Sequence, residues 1–172
     1  MRLFVSLAFA TAALLGLLLV AAACDDGGGG SAGALTLEEY FDELEGSSAE
    51  LDERTASVVE TLETSDDLEE LREAASQYPD ILGDFVEDLE AQEAPGEAAD
   101  AHQDAIDAGV AFLDLLTGVV DEAEQAETVD DFVAALGSDA VETASDEFTR
   151  TCLALQSMAD DNRIDVDLGC GE

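Results

Sequence analysis

From Leu37 to Leu62, apolar and small residues return in alternating steps of four and three: Leu37, Phe41, Leu44, Ser48, Leu51, Thr55, Val58 and Leu62. An α-helix makes one turn in about 3.6 residues, so this spacing puts them all on one stripe and leaves the other faces to acids. A strand would need alternation in steps of two. A helix with one apolar stripe must bury it against a partner. Ala98, His102, Ala105, Gly109, Phe112, Leu116, Val119 and Ala123 form a second such stripe. The expected fold is all-α, an antiparallel four-helix up-and-down bundle over residues 35–172.

Cap chemistry places the helix ends. Thr36 followed by Glu39 fits a capping box, which starts the first helix. Gly46 inside it costs about 1 kcal/mol of propensity relative to Ala. The second helix is expected from Ser65 as N-cap, with Leu68, Leu71 and Ala75, an interruption at Tyr78-Pro79, and resumption through Ile81, Leu82, Phe85, Val86 and Leu89. Pro95-Gly96 marks the next boundary, and the third helix is expected over about Glu97 to Ala126. The fourth opens at Thr128 with Asp131 at its N3 position, breaks at Gly137-Ser138, and runs to about Asp160. Its apolar residues include Phe132, Val133, Leu136, Val141, Phe148, Leu155 and Met158. Glu63-Thr64-Ser65-Asp66-Asp67-Leu68 and Glu127-Thr128-Val129-Asp130-Asp131-Phe132 share a pattern and suggest two similar hairpins.

The chain opens with Met1-Arg2, runs uncharged from Leu3 to Val20, and then reads Ala21-Ala22-Ala23-Cys24. A basic start, an apolar run and small residues before a cut are the parts of an export signal. Asp25-Asp26 and a glycine run follow, with no basic cluster to stop transfer, which argues against a membrane-spanning helix. Ala21-Ala22-Ala23-Cys24 resembles the lipobox of bacterial lipoproteins, although that family usually has Leu where Ala21 stands. The resemblance implies cleavage after residue 23 and a diacylglyceryl group on the Cys24 thiol. Ala-x-Ala also suits ordinary signal peptidase, which would release a soluble protein. Residues 24–34 then form a tether, and its ten residues from Asp25 to Ala34 span roughly 17 Å as a flexible coil.

The cysteines are Cys24, Cys152 and Cys170. Outside the cytoplasm a leftover thiol is unusual. Lipid on Cys24 leaves Cys152 and Cys170 to pair, which fastens the tail to the last helix. In that tail Ile164, Val166 and Leu168 alternate with Asp165 and Asp167, a pattern that lays apolar residues along the bundle and acids toward water.

Acids number 43 against 5 arginines, with no lysine, for a formal charge of −38. Removing residues 1–23 takes away Arg2 and no acid, so −38 becomes −39. Such a surface repels phosphate backbones, which excludes nucleic acid as a partner. It also repels anionic membranes, so attachment to a membrane has to come through the lipid on Cys24. The acids are spread evenly, as in a solvated coat that keeps a protein soluble, including in salt.

Catalytic patterns are absent. His102 stands alone on the stripe of the third helix, where a satisfied core residue is the simpler reading. The Glu-x-x-His pairs of di-iron bundles have no counterpart, since Ala99 precedes His102 by three. Asp160-Asp161-Asn162-Arg163-Ile164-Asp165 departs from a calcium loop at its fifth and sixth positions. No serine lies in a Gly-x-Ser-x-Gly elbow, and no glycine-rich loop precedes a basic residue. No cofactor or metal is expected.

The whole chain resembles small, acidic, helical bacterial lipoproteins, specifically over residues 1–24 and only generically over the helices. That resemblance implies an address: lipid-anchored at a cell membrane, on its extracytoplasmic side. The expected function is a non-catalytic binding or interaction module that meets an envelope protein or an extracellular ligand. The alternatives are a passive, protective acidic envelope protein, and weak cation binding or catalysis through His102 and nearby carboxylates.

Overall fold

The computed structural model describes residues 35–170, so the leader, Cys24 and the whole of the tether lie outside the described residues. Those described form five helices and no strand: α1 (Leu37–Thr64), α2 (Leu68–Ala91), α3 (Ala99–Ala123), α4 (Val129–Leu136) and α5 (Asp139–Asn162). The all-helical expectation holds.

The start of α1 follows its sequence signal. The Thr36 hydroxyl accepts from the Glu39 amide at 3.2 Å, and the Glu39 carboxylate accepts from the Thr36 amide at 2.9 Å. Thr128 caps α4 by accepting from the Asp131 amide at 3.2 Å. Gly137-Ser138 separates α4 from α5, and Ser138 caps the latter.

Three expectations need correction. Ser65 does not cap α2. It ends α1, and its hydroxyl accepts from the Asp67 amide at 3.1 Å, while the Asp67 carboxylate caps α2 through the Glu69 and Glu70 amides. Pro79 does not interrupt α2, which runs through it unbroken. The cost of the missing amide is offset because the stripe keeps its phase across the proline: Leu71 and Ala75 before it and Leu82, Val86 and Leu89 after it are all buried. The third helix is shorter at both ends than the expected Glu97 to Ala126, because Ala98 offers no side-chain cap and the chain turns at Gln125. These differences also separate the two related segments. The helix cap falls on Asp67, fifth in the first, but on Thr128, second in the other.

Helix α2 packs on α1 and α3, and α3 packs on α4 and α5. One core cluster joins Tyr40, Phe41 and Leu44 to Phe85, Leu89, Ala105, Leu155 and Ala159. A second joins Leu71, Leu82 and Val86 to Phe112, Leu116, Val120 and Phe132. Phe148 of α5 packs against both. The stripe of α3 is buried along its length apart from Val119, which is half-buried, whereas Val133 of α4 is 55% exposed.

Helices α1 and α5 are not among the closely packed pairs, and the tail lies between them. Arg163 adopts a left-handed backbone, φ 61°, that ends α5 and turns the chain back along it. With no strand to pair with, the tail takes its hydrogen bonds from side chains. Gln156 of α5 donates to the Val166 carbonyl at 3.0 Å and accepts from the Leu168 amide at 2.9 Å. Glu45 of α1 accepts from the Asp167 amide at 2.8 Å. Val166 and Leu168 are buried and Asp165 and Asp167 exposed, as the alternation predicts. The Cys152 and Cys170 sulfurs stand at bonding distance, 1.94 Å, and tie the tail to α5.

Candidate functional site

Between the two core clusters the side chains leave a cavity of about 190 Å³. Helix α1 contributes Leu44 and Leu51, α2 Leu82 and Phe85, α3 Ala105 and Phe112, α5 Phe148 and Leu155, and the tail closes one side with Leu168, Gly169 and Cys170. Small residues create the space. Ser48 and Ala105 occupy stripe positions where a leucine would reach across.

Five polar side chains interrupt this apolar wall: Ser48 and Asp52 of α1, Tyr78 of α2, and Ser145 and Thr149 of α5. Ser48 and Asp52 are four residues apart, as are Ser145 and Thr149, so each pair shares one helix face. Ser48 is only 8% exposed. Helical Thr55, Thr117 and Thr143 return their hydroxyls to carbonyls one turn back, but Ser48, Ser145 and Thr149 make no hydrogen bond to another of the described residues. No basic residue lines the cavity.

Asp52 sits at the rim. A Cβ built on Gly169 would lie 2.6 Å from Asp52 Oδ2, and Gly169 has φ 63°, so any side chain here would be strained and would push the carboxylate aside. Partial burial raises the Asp52 pKa above the usual carboxylate range, and the charge of Asp167 adds to the rise. Burial, then the charge of Asp52, likewise raises Tyr78. Among the described residues, no ion pair reaches Asp52.

His102 lies apart from this cavity. It is 7% exposed, and its Nδ1 stands 3.1 Å from the Tyr40 hydroxyl. Burial lowers its pKa, against a smaller opposing pull from the Leu89 backbone carbonyl. Burial thus favours the neutral ring, with Nδ1 within hydrogen-bond reach of the Tyr40 hydroxyl. Among the described residues, no three His, Cys, Asp or Glu side chains gather in a way that could hold a metal ion.

Of the residues singled out in the sequence, Cys152 and Cys170 come together beside the cavity, and Cys24 lies outside the described residues. Asp52, Tyr78, Ser145, Thr149 and Gly169 carried no signal of their own. Ser48 is visible in the sequence only as one of two hydroxyl residues, with Thr55, that weaken the stripe of α1. No protein-family model, curated protein or solved structure matches the chain.

Proposed function

We propose that this chain is a lipid-anchored, extracytoplasmic binding module whose ligand chamber is the cavity between α1 and α5. The cavity itself carries the reading. It is a partly open pocket of about 190 Å³, enough room for a benzene-sized body, and its lining is apolar with a few polar groups. The ligand is therefore small and largely apolar.

The helices are read as a four-helix up-and-down bundle, with α4 and α5 together forming the last arm. Packing of α1 on α2, α2 on α3 and α3 on α5, joined by short connections, supports that arrangement. For the anchor, the support is Ala21-Ala22-Ala23-Cys24 together with the pairing of Cys152 and Cys170, which leaves Cys24 as the odd thiol. Among the described residues, no helix is long and apolar enough to cross a membrane.

Two measurements test the reading. Mass spectrometry of protein extracted from membranes should find Cys24 first in the mature chain and acylated; an unmodified Cys24 refutes the anchor. Benzene titrated into the protein should shift the NMR signals of the Leu44 and Leu155 methyls, and unmoved methyls at saturation refute the chamber. The even spread of acids favours a second reading, a passive acidic envelope protein. It predicts that redistributing surface acids leaves the phenotype intact.

A further inference from the structure

We propose that the cavity selects a small cationic amphiphile, seating an aromatic or aliphatic body among Leu44, Phe85 and Leu155 and a protonated amine at Asp52. This inference rests on the reading of the cavity as a ligand chamber and adds the chemistry of its ligand.

Three observations carry it. The first is position: Asp52 stands one helical turn from Ser48 on the cavity face of α1, so a ligand filling the apolar space ends at its carboxylate. The second is the state of that carboxylate. Gly169 approaches it and Asp167 lies in range to repel it, yet no arginine pairs with it. Arg54, two residues away, is engaged with Asp84 at 2.6 Å and with Glu50. An ammonium supplies the missing countercharge, and the repulsion from Asp167 then works in its favour. The third is Ser48, more than nine-tenths buried as a residue, which lines the cavity and makes no hydrogen bond to another of the described residues. An ammonium has three N–H donors. Asp52 accepts one and leaves two for neighbouring acceptors, which the Ser48 and Thr149 hydroxyls provide.

The same wall disfavours the other charge states. A carboxylate-bearing amphiphile meets Asp52 and Asp167 with no basic residue lining the cavity. A neutral alcohol fits the space but leaves Asp52 without a countercharge. The surrounding acids add a long-range attraction for cations that falls with salt.

The experiment uses the full lipidated protein in nanodiscs of zwitterionic lipid, with empty nanodiscs subtracted, and calorimetric titration of phenethylamine, phenethyl alcohol and phenylacetate. Phenethylamine should bind about tenfold more tightly than the alcohol, the gain expected of one charge-assisted hydrogen bond, and phenylacetate more weakly than either. Asp52→Asn should bring the amine to the level of the alcohol without changing the alcohol. Ser48→Leu, which fills the chamber, should abolish binding of both, with circular dichroism confirming the helices. Equal affinity for amine and alcohol overturns the charge selection and leaves the chamber standing. Binding of none of the three removes the chamber and this inference together. Undiminished amine binding by Asp52→Asn or by a folded Ser48→Leu places the amine on the general acidic surface and overturns the proposal.

Discussion

The Tyr40 hydroxyl meets Nδ1 of His102 at 3.1 Å, joining α1 to α3 across a sequence separation of 62 residues. Both side chains are buried, and burial lifts the Tyr40 hydroxyl to about 12, so it stays protonated. Tyr40→Phe leaves the imidazole nitrogen without a partner and should cost about 1–3 kcal/mol, read as a lower urea midpoint with unchanged slope. A change below experimental error would show that the bond is not made in solution.

His102 also gives stability a pH dependence. Its folded pKa is lowered by burial, so the unfolded chain takes up a proton first. Its contribution is complete above the ordinary imidazole value of 6.5 and declines as pH falls from there through the lowered folded value. His102→Gln should remove this decline. The stability difference between wild type and variant should therefore shrink between neutral pH and about pH 5. A constant difference across that range contradicts the assignment.

Asp52 has the opposite sign. Burial and then Asp167 raise its folded pKa, so its charge weakens the fold at neutral pH and that penalty is relieved as pH falls through the raised value. Asp52→Asn should melt higher than wild type at neutral pH, and the two should converge in acid. A variant that melts lower at neutral pH would mean the carboxylate has a partner.

Residues Cys152 and Cys170 close a loop with a sequence separation of 18. Cys170→Ser should cost about 3 kcal/mol on the chain-entropy model, and the Asp167 and Leu168 amides should lose protection in hydrogen exchange. Tail amides that stay protected would show that the bonds from Gln156 and Glu45 suffice without the sulfur link.

Gly169→Ala puts a methyl group against Asp52 in a backbone conformation that disfavours any side chain. The expected cost is about 1–3 kcal/mol. Combining it with Asp52→Ala should return part of that loss in a double-mutant cycle. Strict additivity would place the strain in the backbone alone.

The parts of the fold that were legible in the sequence are those governed by local chemistry. Thr36 with Glu39 and Thr128 with Asp131 announce their caps because each hydrogen bond lies within one turn. The stripe from Ala98 to Ala123 announces its buried face because periodicity is a local property. Pro79 was misleading because its cost is local while the compensation, burial of α2 on both sides of it, is tertiary. At Ser65 and Asp67 two good capping residues compete within one turn, and sequence alone does not rank them. The cavity was the least legible feature. Its walls come from four helices and a tail, and the sequence shows only that Ser48 and Thr55 weaken the seam of α1, without locating a space. Asp52 looks like any other exposed acid until the tail is laid beside it.

The tail that fills the gap between α1 and α5 also sets an order of events. The bond from the Asp167 amide to Glu45 spans 122 residues, so this part of the domain depends on contacts between opposite ends of the chain. A protein emerging from its N-terminus, whether from a ribosome or through a membrane pore, can pair α1 with α2 early but cannot finish until residues 163–170 are out. Until then the wall between α1 and α5 stands open and the apolar interior faces solvent. Completion is thus a late, all-at-once event, and the bond between Cys152 and Cys170 can register it only after every helix has been delivered.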